Sequence, residues 1–320
     1  MSEPGKTGDY AADVSAAAVV RRPAVLVFAG VDPSGGAGIS ADAAAIAAQG
    51  AHALIVVTAL TVQDNDRVYE VQPVDSALVL RQAQALIDKI DIAAVKIGIP
   101  GSAANAQAIA ELIVQLRRRQ PELPVVLDPV LASGHGDTLS RGDAVQALAP
   151  LLALATLLTP NGPEARALAG IGDADVVDDA DASAYVHAAN TNADVGVVER
   201  VAAACARALL GRGCDHVLIT GGHDAGGDVV NRWYARASQS QPQSQSQSQS
   251  QEQPLLQQQW RWQRLAGAFH GSGCTLAAAA AGLLAQGLPL AQALPLAQSY
   301  THHALRAAYA IAPGQRIPLR

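Results

Sequence analysis

The chain has 320 residues, half of them hydrophobic, and a formal net charge of −6. That length fits one large α/β domain or two smaller ones, and the apolar content supplies a sizeable core. The acidic balance, with no basic stripe, argues against a nucleic-acid partner.

The three cysteines, Cys205, Cys214 and Cys274, have no zinc-ligand spacing, and their odd number disfavours a disulfide framework. A reducing, cytoplasmic setting is therefore expected. No charge-free apolar run reaches the length of a membrane span, so no membrane partner is expected. Residues 1–22 contain no continuous apolar segment of signal-peptide type and read as a disordered tail.

Ala24 to Ala29 is a continuous apolar run, suited to a strand buried on both faces. It runs into the glycine-rich loop Gly30 to Gly38, and a helix is predicted from about Ile39 to Gln49. The loop has neither Gly-x-Gly-x-x-Gly spacing nor a Walker lysine, so neither usual nucleotide cradle is expected there. A substrate pocket is the alternative. Asp42, one turn into the helix, either faces that pocket or is a surface carboxylate.

A second buried strand, Ala53 to Leu60, ends in the polar cluster Thr61 to Asp66. Ligands gather at the carboxyl ends of strands in open α/β sheets. The planar amide of Gln63 suits a heterocycle with an amino group beside a ring nitrogen; a solvated turn residue is the other reading. A short strand follows over Val68 to Val74. Asp75 then caps a helix with Leu78, Ala85, Leu86 and Ile90 on its apolar face. Further on come strand Ala93 to Ile97, a helix from about Ala103 to Arg119, and strand Pro124 to Asp128. The loop Ser133 to Asp137 is flexible by composition. A helix over 143–153 leads to strand Ala155 to Leu158 and the turn Thr159 to Glu164, where Pro163 fits the first helical turn. Asn161 and Glu164, three apart, can order waters around a hydrated magnesium ion or serve as a turn and cap.

Residues 170–195 are acidic and weakly patterned, and a helix is predicted from Val197 to Leu210. Strand His216 to Thr220 precedes Gly221-Gly222-His223. Asn231 to Arg236 and Gln259 to Leu265 alternate and read as paired edge strands, flanking a Ser/Gln tract with no core-forming residues. Then comes Ala268-Phe-His-Gly-Ser-Gly-Cys-Thr275, opening an alanine-rich helix near Cys274. Glycines on both sides of Ser272 leave its N–H groups uncovered at the positive end of the helix, a geometry that binds phosphate. In that field the thiol of Cys274 is expected to have a lowered pKa. A tight turn over a buried helix fits the same residues. A last helix is predicted from about Leu290 to Ala310. The repeated strand–helix pattern predicts one three-layer α/β/α domain with a mainly parallel sheet, over 23–320, with a disordered insertion at about 238–258.

Six segments occur together and in order: Ala29-Gly-Val-Asp-Pro-Ser-Gly-Gly-Ala-Gly-Ile-Ser-Ala-Asp42, Val57-Thr-Ala-Leu60, Lys96-Ile-Gly98, Asp128-Pro-Val130, Thr159-Pro-Asn-Gly-Pro-Glu164 and His270-Gly-Ser-Gly-Cys-Thr275. The set resembles the hydroxymethylpyrimidine/phosphomethylpyrimidine kinases of thiamine biosynthesis, in the ribokinase-like superfamily. The resemblance implies two ATP- and Mg²⁺-dependent steps. One phosphorylates the alcohol of 4-amino-5-hydroxymethyl-2-methylpyrimidine; the other converts the monophosphate to the diphosphate. Carried over by position, Gln63 would bind the aminopyrimidine edge, with Asp42 and Gly30 lining that pocket. Cys274 would stand where most of the superfamily has an aspartate base, and Gly271, Ser272 and Gly273 would form the anion hole. Asn161 and Glu164 would hold the magnesium–phosphate end through water, with Asp128 and Thr220 also on the nucleotide side. Family members are typically homodimers.

The sequence departs from that pattern at Thr220, where members often carry a lysine, and at Asp64-Asn-Asp66, where Asn-Thr is more usual. A pyridoxal or pyridoxine kinase of the same fold and a non-catalytic pyrimidine sensor are the competing readings.

Overall fold

The computed structural model describes residues 21–132, 143–172, 195–224, 226–236 and 255–320. Residues 1–20 of the expected tail (1–22), the loop Ser133 to Asp137, most of the acidic excursion and most of the expected insertion at about 238–258 lie outside these.

Among the described residues, nine strands form one sheet. In chain order they are β1 (Ala24–Val31), β2 (His52–Gln63), β3 (Val68–Pro73), β4 (Ile92–Ile97), β5 (Val125–Leu127), β6 (Leu157–Leu158), β7 (His216–Ile219), β8 (Asp228–Ala235) and β9 (Leu255–Gln263). Their spatial order is β3-β2-β1-β4-β5-β6-β7-β8-β9. Strands β2, β1, β4, β5, β6 and β7 pair in parallel. The flanks, β3 on one side and β8–β9 on the other, are antiparallel. The helices among the described residues are α1 (Gly38–Ala48), α2 (Ser76–Ile87), α3 (Ala103–Arg119), α4 (Ala144–Leu152), α5 (Gly162–Ala169), α6 (Val195–Gly211), α7 (Ser272–Ala285) and α8 (Leu290–Arg306).

Alternation along β1 shows how the layers arise. Leu26 and Phe28 pack into one core with residues of α2 to α6. Val25, Val27 and Ala29 point the other way, into a core with α1, α7 and α8. Parallel strands covered on both faces must be apolar on both, as this run is. The protein is thus an α/β/α sandwich with a mainly parallel sheet, the expected fold class. Helix α7 is buried nearly all round, with Ala277 to Ala281 fully inaccessible. Its alanines let it lie close to both the sheet and α1, where a larger side chain would not fit.

Some boundaries differ from expectation. Strand β2 runs on through Gln63 because β3 pairs with its end, Gln63 opposite Val68. Strand β9 starts at Leu255, opposite Ala235, so residues 255–258 belong to the hairpin and not to the insertion. Helix α2 buries Val79 and Ala83 and leaves Leu78 exposed, a face rotated from the expected one; Asp75 does cap it, accepting from the Leu78 N–H. Helix α8 stops at Arg306. No helix among the described residues is long and apolar enough to cross a membrane.

Candidate active site

The parallel strands all end on one side, and the polar residues of the sequence collect there. Gly30 on β1, Gly98 after β4, Asp128 after β5, Thr159 after β6 and Thr220 after β7 line a single cavity of about 550 Å³. Gln63, at the tip of β2, lines it too, as do Gly271, Ser272, Gly273 and Cys274 at the mouth of α7. The helix mouth and Gln63 therefore face one space.

Two glycine loops build that mouth, and they touch. Gly38 has φ +57°, and a Cβ there would overlap the carbonyl oxygen of Gly30, so β1 can turn into α1 only with glycine at this point. Gly271, the N-cap of α7, has φ +76°, and a Cβ there would overlap the carbonyl of Gly36 in the first loop. Asp32 joins the loops. Its Oδ1 accepts from the Ser34 N–H, and its Oδ2 accepts from the Ala37 N–H and lies 2.8 Å from His270 Nε2. Burial alone would raise the Asp32 pKa, but the hydrogen bonds from His270, Ser34 and Ala37 outweigh it and hold the carboxyl below the ordinary value of 3.8. No side chain caps α7, so its first N–H groups stay directed at the cavity.

Beneath the mouth lies a buried charge cluster. Lys96 Nζ donates to Asp42 Oδ2 at 2.8 Å, and both side chains are fully buried. Burial pushes Asp42 up to about 6 despite the ammonium beside it. Burial works against the charge of Lys96 too, but Asp42 overrides it and keeps the lysine protonated. Asp42 does not line the cavity; Lys96 does, so the expectation that Asp42 contacts substrate is corrected. In an apolar strand a lysine needs a buried counter-charge, and Asp42 supplies it.

Cys274 also departs from expectation. Burial pushes its thiol up to about 12; Lys96 opposes this, while Asp128 and Asp42 add to it. The helix field does not overcome desolvation and two neighbouring carboxylates, so the group is a thiol at neutral pH. Asp128 lies beside it, its own pKa raised by burial against the opposing pull of Lys96.

Asn161 and Glu164 form a reciprocal capping box on α5: Asn161 Oδ1 accepts from the Glu164 N–H, and Glu164 Oε2 accepts from the Asn161 N–H, both at 2.9 Å. The cap and the cavity wall are the same residues. Thr220 sits beside them, bridged to Asn161. Burial first, then the charge of Asp128, pushes Glu164 up to about 8. Asp128 Oδ2 is buried with no hydrogen-bond partner among the described residues. An orphaned carboxylate oxygen next to a carboxyl driven towards neutrality is a place short of one cation. Among the described residues no three His, Cys, Asp or Glu side chains form a metal cage. That donor set fits Mg²⁺, which uses one or two carboxylates and fills its shell with water and phosphate.

Sequence reasoning did not assign Asp32, His270, Lys96 or Arg264. The signal for Lys96 was a lone charge in a buried strand. For Asp32 it was Asp-Pro-Ser, a turn sequence in which the carboxylate holds backbone N–H groups. Arg264 gave none. Its guanidinium reaches the carbonyls of Gly222, Asp224 and Gly226, and so folds the glycine-rich loop after β7 against the cavity.

Comparison with known proteins agrees with this geometry. The family model for phosphomethylpyrimidine kinase matches residues 32–198 and 188–318. A hydroxymethylpyrimidine/phosphomethylpyrimidine kinase of Mycobacterium tuberculosis is 35% identical over 294 residues, 91% of each chain. Among solved structures, phosphomethylpyrimidine kinase from Clostridium difficile superposes with TM-score 0.61 at 26% identity, covering 88% of this chain and 98% of that one. An ADP complex of Bacillus subtilis pyridoxal kinase shares the fold, with TM-score 0.70 at 22% identity over 93% and 97% of the two chains. The chain belongs to the phosphomethylpyrimidine kinase family.

Proposed function

We propose that the protein uses ATP to phosphorylate the alcohol of 4-amino-5-hydroxymethyl-2-methylpyrimidine and then the resulting monophosphate, supplying the pyrimidine half of thiamine. The observation that carries this reading is the cavity holding both Gln63 and the mouth of α7. Gln63 offers a donor and an acceptor to the aminopyrimidine edge. Gly30 lets the ring lie against the β1 backbone. On the other side, Asn161, Glu164, Asp128 and Thr220 face the nucleotide. Mg²⁺ held there with water would neutralise charge on the β- and γ-phosphates.

Chemistry at the mouth is mainly positioning and charge stabilisation. The substrate oxygen forms its bond to the γ-phosphorus as the bridging bond to ADP breaks, and negative charge spreads over the phosphoryl oxygens. The N–H groups of Gly271, Ser272 and Gly273, fixed by the helix start, stabilise that charge without reorganising. The Cys274 thiol carries a proton, and Asp128 lies beside it. The pair accepts the hydroxyl proton: the thiol takes it while its own proton passes to Asp128. The protein is expected to work in the cytoplasm as a homodimer.

The test is incubation of purified protein with ATP, magnesium and the pyrimidine alcohol, following ADP and product mass. Sequential gains of one and two phosphoryl groups are the expected result. Pyridoxal in a parallel reaction distinguishes the competing vitamer. ADP release with neither compound phosphorylated would remove both kinase readings.

A further inference from the structure

The two glycine loops are fastened together a second time, from behind, by Arg320. Its Nε donates to Thr275 Oγ1 at 2.8 Å, and one terminal nitrogen donates to the carbonyls of Gly36 at 2.6 Å and Gly271 at 3.2 Å. Thr275 adds its own N–H and hydroxyl to the Gly271 carbonyl. Arg320 does not line the cavity.

The Gly271 carbonyl and the Ser272 N–H belong to one planar peptide unit and point in opposite directions. Holding the carbonyl backwards against the guanidinium and Thr275 therefore aims the Ser272 N–H forwards, into the mouth. The Gly36 carbonyl is drawn to the same guanidinium, which sets the spacing of the two loops. With Gly271 at positive φ, nothing in its own side chain limits rotation of that peptide, so an outside group must.

We infer that Arg320 is a positioning residue for phosphoryl transfer, acting through the Gly271–Ser272 peptide. The inference rests on the kinase reading above and adds to it a residue outside the cavity. The last residues of the chain do not depend on the Arg320 side chain for their place. Arg316 N–H donates to the Ala268 carbonyl, Ile317 and Tyr309 exchange two hydrogen bonds, and Leu319 N–H donates to the Ala304 carbonyl. Substituting Arg320 thus removes the latch and leaves the segment held.

The test compares wild type, Arg320→Gln, Arg320→Lys, Arg320→Gly and, as a control, Leu319→Ala, whose side chain is exposed. In Arg320→Gln, kcat should fall ~10²-fold, the cost of about 1 Å of misplacement at a reacting centre, with KM for the pyrimidine alcohol nearly unchanged. Arg320→Lys, with the charge but no fork, should fall between, and Leu319→Ala should match wild type. Millimolar guanidinium should restore part of the lost kcat in Arg320→Gly. Hydrogen exchange at Ser272 to Thr275 should be faster in Arg320→Gln than in wild type, a readout that needs no turnover. Wild-type kcat and unchanged exchange in Arg320→Gln overturn the inference, as does loss of the whole fold in both Arg320→Gln and Arg320→Lys. An inactive wild type with altered exchange in the variant would sink the kinase reading and leave the latch standing.

Discussion

Cys274 shows how a position and its state separate. A thiol at a helix start is expected to ionise easily, yet burial beside Asp128 and Asp42 pushes it up to about 12. In a largely electrostatic reaction the proton acceptor contributes less than the groups that hold the migrating charge. Cys274→Ala should cost about 10²-fold in kcat, at the low end for a general base. Gly271→Ala, which meets both positive φ and the Gly36 carbonyl, should cost about 10³-fold. Steady-state kinetics of both variants check the order. Asp42 has the opposite character, being structural where contact with substrate was expected. Asp42→Asn leaves the Lys96 ammonium buried and unpaired, and should destabilise by about 3–5 kcal/mol in denaturant titration. Asp42→Leu with Lys96→Met should recover most of that stability. Asp32 ties stability to pH. Its pKa is lowered in the fold, so its contribution is full above the unfolded value of 3.8 and is lost as pH falls below that, through the folded value. The gap in melting temperature between wild type and Asp32→Asn should be constant from pH 5 to neutrality, roughly, and close below about pH 3.8.

Helix α7 is the element on which the site depends. It carries the mouth at one end and lies between sheet and outer helices along its length. Ala279 is inaccessible and packs with Ala45 and Ile46 of α1 in the same core. Ala279→Leu should cost about 1–3 kcal/mol by overpacking and should also lower kcat, because a displaced α7 moves its mouth. A thermal melt and a rate measurement on one preparation give both numbers. The elements best legible in the sequence were those with one dominant local signal. Helix α3 runs over Ala103–Arg119 as expected, and the Asn161–Glu164 turn carries the cap its residue types allow. What local pattern could not give was the facing of α2, since Val79 and Leu78 are equally apolar and only packing on the sheet selects between them.

At the scale of the molecule, the layered architecture and the common edge of its parallel strands follow from the βα alternation and from buried apolar runs, whereas the strand order does not. The sequence therefore placed Gln63, Asp128, Asn161, Glu164 and Thr220 on one side, and the described cavity holds them all. Long-range pairs escaped it. Nothing local joins Lys96 to Asp42, Asp32 to His270, or Arg320 to Gly36, separated in the chain by 54, 238 and 284 residues. Such contacts are decided by how the loops meet, which no window of sequence contains.

The most direct measurement is backbone and side-chain amide NMR of the whole protein during stepwise addition of the pyrimidine alcohol, then magnesium ADP with aluminium fluoride as a mimic of the transferring phosphoryl group. The account predicts that the Gln63 side-chain amide shifts with the pyrimidine alone, and that the amides of Gly271, Ser272 and Gly273 shift when the mimic is added. Binding of the full set of ligands with the Gly271 to Gly273 amides unmoved would contradict it.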